Sequence, residues 1–117
     1  KVLSKENDKI LLTERGTSFG YHNLVVDFRS FAIMKQIGFP VIYDVTHSLQ
    51  KPSQNITSVG TPEYAQVMAK AAIATGRVSG LFIETHPNPE DALSDANSML
   101  PIDELPQLLD ACLKING

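Results

Sequence analysis

Three short apolar runs alternate with three amphipathic stretches along this 117-residue chain. The apolar runs cover residues 10–13, 41–45 and 80–84, and the amphipathic stretches cover about 25–37, 61–76 and 103–115. Buried strands that alternate with helices are typical of a parallel sheet covered by helices. The sequence therefore predicts an α/β fold with the order strand, helix, strand, helix, strand, helix.

Glycine and proline mark the ends of the predicted helices. Gly38 closes the first helix and Gly76 closes the second, as glycines do just past a helix end. Thr61 is predicted to cap the second helix with Pro62 at its first position, and the third helix tolerates Pro106 in its first turn. These positions support three separate helices.

Two long polar connections follow the second and third predicted strands. Residues 48–60 and 85–101 are rich in turn-forming residues, and the second connection is predicted to contain a helical turn near residues 90–93. Loops of this length in compact domains are commonly functional. Both are therefore candidates for carrying part of a site.

Two architectures accommodate three strand–helix units: an open doubly wound sheet, or part of an eightfold (β/α)8 barrel. A complete barrel needs about 250 residues, so the barrel interpretation makes this chain a fragment. The opening "KVLSKEN" resembles the tail of a preceding helix and favours the fragment.

The composition excludes several classes of protein. The net charge of −3 offers no basic excess for nucleic acid, and no apolar run approaches the roughly 18 residues of a membrane span. The first residues are too polar for a secretory signal. Cys112, the single cysteine, lies at helical spacing with four apolar neighbours and is predicted to be a core residue rather than a nucleophile. A cytoplasmic location fits.

Ionisable side chains collect at the predicted carboxyl ends of the strands. Arg15, His47 and Glu84 each lie at or just past a strand end, and Asp95 follows on the loop after the third strand. Asp44 precedes His47 by three residues. Because parallel strands present their carboxyl ends on one face, where ligands gather, these groups are expected to converge.

Each of these residues also has a purely structural interpretation. His47 could bond to nearby backbone, Glu84 could pair with a cation, Asp95 could cap a helix or turn, and Arg15 could form a structural salt bridge. His86 precedes Pro87 and is interpreted as a structural residue rather than a direct ligand. One imidazole with two carboxylates would suit Mn²⁺, Fe²⁺ or Zn²⁺, although the spacing matches no local metal-binding motif.

Three segments together resemble the 3-deoxy-D-manno-octulosonate 8-phosphate synthase family: "LLTERGTSFGYHNLVVDFRSFAIMK", "VIYDVTHSLQ" and "GLFIETHPNPEDALSDANSMLPIDEL". The resemblance covers nearly the whole chain from Ile10 and implies the last three βα units of a (β/α)8 barrel. Residues 1–117 would then be the C-terminal portion of a single barrel domain, cytoplasmic and homotetrameric when complete.

The resemblance also implies an activity. The family condenses phosphoenolpyruvate with D-arabinose 5-phosphate and water in lipopolysaccharide biosynthesis, and this chain alone is expected to be inactive. Arg15 matches the residue that binds the phosphate of phosphoenolpyruvate. His47, Glu84 and Asp95 match the metal ligands, with His47 also contacting substrate as a catalytic residue.

The family divides by a fourth metal-site residue on the first barrel strand, cysteine in metal-dependent members and asparagine in the others. That strand is absent from this chain. "ALSDA" resembles the metal-dependent branch more than the "CDGP" form, which favours a divalent metal cofactor. In the other branch, His47, Glu84 and Asp95 would hold water and the sugar aldehyde. Between Lys51 and Glu63 the chain departs from the family's Ser-Gly-Gly loop and keeps only Gly60.

Two other functions are compatible with the residues. A 3-deoxy-D-arabino-heptulosonate 7-phosphate synthase of the same superfamily would share the metal ligands, but such enzymes typically read "DPSHS" where this chain reads "DVTHSLQ". A non-catalytic αβ module would bind a metal or a partner protein through its exposed sheet edge.

Overall fold

The computed structural model describes residues 8–18, 22–51 and 59–116. Its elements, in chain order, are β1 (Leu12–Glu14), β2 (Thr17–Ser18), β3 (Leu24–Val25), α1 (Arg29–Lys35), β4 (Val41–Asp44), β5 (Gln50–Lys51), β6 (Val59–Gly60), α2 (Ala65–Ala74), β7 (Gly80–Phe82), β8 (Thr85–His86), β9 (Leu100–Pro101) and α3 (Leu105–Asn116). The predicted α/β class with parallel strands is confirmed. The "KVLSKEN" segment and residues 52–58 lie outside the described residues.

The central sheet has three parallel strands in the order β1-β4-β7. Its register aligns Thr13, Ile42 and Gly80 across the sheet, and aligns Glu14 with Tyr43 and Leu81 in the next row. Since side chains alternate between faces along a strand, these two rows lie on opposite faces. All three carboxyl ends lie at one edge of the sheet.

The helices cover one face of this sheet. Val41, Tyr43 and Val45 are fully buried on that face, in a core with residues from all three helices: Phe31, Ala65, Ala69, Ala72, Leu108 and Cys112. On the opposite face Leu11 is 64% exposed and Phe82 is 44% exposed. Among the described residues, the helices therefore cover one face of the sheet and leave apolar side chains exposed on the other.

Tyr43 anchors the covered face beneath the end of β4. Its ring meets Phe31 edge-on with ring centroids 5.6 Å apart, and its hydroxyl lies 2.7 Å from Ser48 Oγ. Burial raises the pKa of Tyr43, so the phenol is neutral and hydrogen-bonds as an uncharged group. This contact ties the end of β4 to the turn that follows it.

The first helix is shorter than predicted. Val25 belongs to β3 and pairs with Thr17 of β2, and the helix begins at Arg29. Asp27 stops the helix from extending backward, because its carboxylate accepts a hydrogen bond from the backbone N–H of Arg29 at 3.0 Å and its carbonyl accepts one from Ser30. The pairing of β3 with β2 therefore determines the structure at Val25, although residues 25–28 follow a helical pattern.

Thr61 occupies the predicted N-cap position, but the prediction that its side chain caps the helix is wrong. The Thr61 side chain makes no capping bond; its hydroxyl donates to the carbonyl oxygen of Leu49 at 3.1 Å. A 3-10 turn, Pro62–Tyr64, begins the helical segment and leads into α2. The hydroxyl bonds across the chain because Leu49 lies opposite it at the base of the β5–β6 pair.

The two long connections contain more regular structure than predicted. β5 and β6 form a short antiparallel pair within the first, and β8 and β9 pair in parallel at the two ends of the second. A 3-10 turn, Pro89–Asp91, lies close to the helical turn that was predicted near residues 90–93. The β8–β9 pairing brings the two ends of the second connection together.

The third helix and the core position of Cys112 were both predicted from the sequence. α3 is preceded by a 3-10 turn, Ile102–Glu104, and packs against α2. Cys112 is buried in the core, and burial raises the pKa of its thiol, so it is uncharged at neutral pH and suited to packing rather than attack. Among the described residues, none of the helices has the length and apolar character needed to cross a bilayer.

Candidate metal centre

Three of the four site residues predicted from the sequence lie together at the carboxyl edge of the sheet. His47 begins a 3-10 turn, His47–Leu49, three residues past the end of β4. Glu84 lies two residues past β7, and Asp95 lies on the connection between β8 and β9. One donor atom of each side chain lies within 4.8 Å of the others. All three residues are half-buried.

Asp44 fixes the orientation of His47. Its Oδ2 lies 2.8 Å from the imidazole Nδ1, and its Oδ1 accepts the backbone N–H of His47 at 2.9 Å. Asp44 itself is only 5% exposed. Because a carboxylate accepts and cannot donate, Nδ1 carries the proton in this contact and Nε2 points away as the free ring nitrogen.

The free nitrogen of His47 faces a second acceptor. Nε2 lies 3.5 Å from Oε1 of Glu84. In the neutral ring both atoms carry lone pairs, so the arrangement is repulsive unless a cation or a proton lies between them. Two ligands of one metal ion at about 2.1 Å are roughly 3.0 to 3.5 Å apart, which matches this separation.

Glu84 is positioned by a backbone hydrogen bond, and one of its carboxylate oxygens has no partner within the part of the chain that the structure describes. Its N–H donates to Thr46 Oγ1 at 2.8 Å, and Thr46 is itself buried, two residues past the end of β4. Its Oε2 is buried and has no hydrogen-bond partner among the described residues. Burying a carboxylate oxygen without a partner costs free energy, and a cation bound beside the oxygen lowers that cost by several kcal/mol. The charge and position of Glu84 thus favour a metal ligand.

Asp95 approaches the cluster on a strained turn. Its φ is +53°, in the left-handed region that few non-glycine residues adopt, and its carbonyl accepts the N–H groups of Ser98 at 2.8 Å and Met99 at 3.1 Å. Gln50 donates to its Oδ1 at 2.8 Å. Strain of this kind clusters at functional sites, where surrounding contacts hold it.

Arg15 lies beside the cluster rather than in it. Its guanidinium is exposed, and Nη2 lies 3.4 Å from the Oε1 of Gln50, which in turn bonds to Asp95. The turn that carries it is braced by Glu14, which accepts the N–H of Gly16 at 2.7 Å. Gly16 has φ +87°, and a Cβ there would meet Leu24 and Val25 at 3.3 Å, so the turn requires glycine.

His86 has a structural contact, as the sequence suggested. Its Nδ1 accepts the backbone N–H of Asn88 at 3.0 Å and so shapes the turn before Pro89. Sequence reasoning singled out Asp44 without assigning its role, and it missed Thr46 and Gln50. The role of Asp44 could have been found from its spacing, three residues before His47 across a strand end. No nearby residue marks Gln50, because its partners are 35 and 45 residues away.

The donor set suits a borderline or hard divalent cation. One imidazole nitrogen and two carboxylate oxygens are the ligands expected for Mn²⁺, Fe²⁺ or Zn²⁺, with open positions for water or a substrate oxygen. Opposite ligands of such an ion lie roughly 4.2 Å apart, so the three donors need to draw together only slightly. The residues present therefore fit a metal, and Asp44 supplies the outer carboxylate that metal-bound histidines commonly bond.

Comparison with known proteins identifies close relatives. The model of the DAHP synthetase I family matches residues 1–116. A 2-dehydro-3-deoxyphosphooctonate aldolase of Citrifermentans bemidjiense is 51% identical over 93% of this chain and 40% of its own length. Proteins of the same name from Syntrophotalea carbinolica and Legionella pneumophila are 48% identical over 100% of this chain and 49% identical over 95%.

The chain spans about two fifths of the length of these relatives. Their name is a synonym of 3-deoxy-D-manno-octulosonate 8-phosphate synthase, so the resemblance carried by the sequence motifs is confirmed.

Proposed function

This chain belongs to the DAHP synthetase I family, and on that premise we propose that it is the C-terminal part of a (β/α)8-barrel enzyme. The complete enzyme condenses phosphoenolpyruvate with D-arabinose 5-phosphate and water to give 3-deoxy-D-manno-octulosonate 8-phosphate and phosphate. The observation that carries this proposal is the cluster of His47, Glu84 and Asp95 at the carboxyl edge of a parallel sheet, in a chain about half identical to proteins named for this activity.

The sheet face that the described helices leave exposed supports the barrel. In a (β/α)8 barrel one face of each strand packs against helices and the other points into the barrel, where layers of side chains fill the interior. Leu11, Ile42 and Phe82 occupy that second face here, and Leu11 and Phe82 are exposed. The five βα units that would bury them correspond to the three fifths of the relatives that this chain does not match.

Each residue of the site has a role that follows from its geometry. Glu84 and Asp95 supply negative charge for a divalent metal, and His47 supplies Nε2, which Asp44 aims toward Glu84. Such a metal supplies Lewis acidity toward water or the aldehyde oxygen of the sugar. Arg15 lies outside this cluster and presents an exposed guanidinium, suited to the phosphate of phosphoenolpyruvate through paired charge-assisted hydrogen bonds.

The reaction joins C3 of phosphoenolpyruvate to the sugar aldehyde carbon, while water adds at C2 and phosphate leaves by C–O cleavage. Both substrates are anions, so they must be neutralised and held in one orientation before the bond forms. Positioning and charge stabilisation by Arg15 and the cluster therefore carry much of the rate. His47, three residues past the end of β4, would contact the reacting groups.

Product analysis tests the substrate. The complete protein that contains this chain is incubated with phosphoenolpyruvate and either arabinose 5-phosphate or erythrose 4-phosphate, and the sugar product and released phosphate are measured. We expect the eight-carbon product from arabinose 5-phosphate. A seven-carbon product from erythrose 4-phosphate would identify a 3-deoxy-D-arabino-heptulosonate 7-phosphate synthase. A folded protein that makes neither would favour the non-catalytic module.

Asp44 offers a test of how His47 is aimed. Asp44→Asn is expected to weaken Mn²⁺ binding about 10- to 100-fold, as loss of an outer-shell carboxylate typically does. Asp44 accepts two N–H groups of His47, so an asparagine must turn its NH₂ toward one of them and lose that bond. Isothermal titration of the complete protein with Mn²⁺ measures the change. Asp110→Asn, on the exposed side of α3, is the matched control; equal affinities for the two variants would contradict the role.

A further inference from the structure

Gln50 bridges two groups that the proposed function assigns to different ligands. Its Nε2 donates to Oδ1 of Asp95 at 2.8 Å, and its Oε1 lies 3.4 Å from Nη2 of Arg15. A guanidinium can only donate and a carboxylate can only accept, whereas a side-chain amide does both. The two partners therefore fix which way the Gln50 amide points, and glutamine suits this position for a chemical reason.

The backbone on either side of Gln50 is held firmly. Its strand β5 pairs with β6, where Gln50 is the register partner of Gly60. The preceding residue, Leu49, accepts two bonds through its carbonyl, from the N–H of Thr61 at 3.2 Å and from its hydroxyl at 3.1 Å. The amide thus projects from a fixed point rather than from a free loop.

Gly60 connects the same strand pair to the turn that carries Asp95. A Cβ at Gly60 would lie 2.5 Å from the carbonyl oxygen of Asn97 and 2.7 Å from Cα of Ser98. Only glycine allows the two backbones this close. The one glycine that this chain keeps in its atypical 51–63 loop therefore brings β6 and the Asp95 turn into direct contact, next to the Gln50–Asp95 bond.

We propose that Gln50 is a positioning residue that couples the phosphate-binding arginine to the metal-binding aspartate. Phosphate that holds Arg15 in place, or a metal that holds Asp95 in place, also orders the amide between them. The second ligand then meets a partner side chain that is already ordered, so binding of one ligand strengthens binding of the other. The 3.4 Å contact with Arg15 is long for an N–H···O bond, and active-site bonds of this kind tighten when substrate is bound. This inference rests on the proposed function of the cluster.

Linkage provides the test, because coupling between two sites is reciprocal. The complete protein is titrated with Mn²⁺ by electron paramagnetic resonance, without and with saturating phosphoenolpyruvate, and the ratio of the two Kd values is the coupling factor. In Gln50→Met, which keeps the length of the side chain but loses both polar atoms, we expect the Kd for Mn²⁺ alone to rise about tenfold. We expect the coupling factor to fall about fivefold, the worth of one hydrogen bond.

Two further variants make the result decisive. Gln107→Met, on the exposed side of α3, makes the same chemical change away from the site and should keep the wild-type coupling factor. Gln50→Asn keeps a polar amide but is one methylene too short to reach both partners, so it should lose coupling even if Gln50→Met fails to fold.

The outcomes separate this inference from the proposed function. Wild-type coupling in the Gln50 variants, with Mn²⁺ bound, would overturn the positioning role and leave the metal centre standing. A rise in the Kd for Mn²⁺ without loss of coupling would mean that Gln50 only stabilises the loop, and this result would also overturn the positioning role. Failure of the wild-type protein to bind Mn²⁺ would overturn the metal centre and this inference with it.

Discussion

Replacing Glu84 by glutamine in the complete protein is expected to lower the rate of product formation about a thousandfold, which corresponds to about 4 kcal/mol of lost transition-state stabilisation. Glu84 holds a buried Oε2 without a partner among the described residues and an Oε1 that faces Nε2 of His47 at 3.5 Å. Glutamine has nearly the same shape but no charge, so it removes the attraction for a cation while preserving the packing. Steady-state kinetics and Mn²⁺ titration together measure the effect.

Chelation distinguishes a metal role from a direct one. Glu104→Gln, in the exposed turn before α3, is the matched control and should retain both activity and Mn²⁺ affinity. EDTA treatment should abolish the wild-type activity, and added Mn²⁺ should restore it. Activity that survives EDTA but falls in Glu84→Gln would mean that the cluster acts by hydrogen bonds to water and substrate rather than through a metal.

Replacing Arg15 by methionine is expected to raise the KM for phosphoenolpyruvate about a hundredfold, because two charge-assisted hydrogen bonds to phosphate are worth about 3 kcal/mol together. The Arg15 guanidinium is exposed at the carboxyl edge of β1, and its described hydrogen bond is a long one to Gln50. Methionine keeps the apolar stem, so the loss is that of the charge and the forked donors. Initial rates over a range of phosphoenolpyruvate concentrations measure it.

Lysine at position 15 separates charge from geometry. Arg15→Lys keeps the positive charge but cannot form two parallel bonds, so its KM should lie between those of the wild type and Arg15→Met. Arg77→Met, in the exposed turn after α2, is the control for a lost surface arginine. An unchanged KM in Arg15→Met would assign the phosphate to another residue of the complete protein.

The alternation of strands and helices was readable because burial imposes periodicity on each element separately. β4, α2 and α3 lie within a few residues of their predicted bounds, and Cys112 is in the core as its helical spacing indicated. The first helix was overextended where Val25 pairs with Thr17 instead. The error arises because a strand of two residues is too short to show an alternating pattern, so the helical pattern of the neighbouring residues was extended over it.

That His47, Glu84 and Asp95 lie close together could be predicted in part for the same reason. His47 and Glu84 each follow an apolar run, and the parallel arrangement of the runs places them at one edge. Arg15 also follows such a run, yet it lies beside the cluster, since the turn held by Glu14 and Gly16 sets its position. A strand end thus specifies the edge of the sheet but not the distance between the side chains on it.

The sequence by itself therefore predicted an α/β chain with parallel strands and with carboxylate and imidazole side chains at one edge of the sheet, because hydrophobic periodicity and strand direction are local properties. Three features emerged from the folded chain alone: the pairing of Asp44 with Nδ1 of His47, the buried Oε2 of Glu84 that has no partner among the described residues, and the Gln50 bridge between Arg15 and Asp95. Hydrogen bonds depend on tenths of an ångström between atoms that the chain brings together from far apart, and no pattern along the backbone encodes such distances.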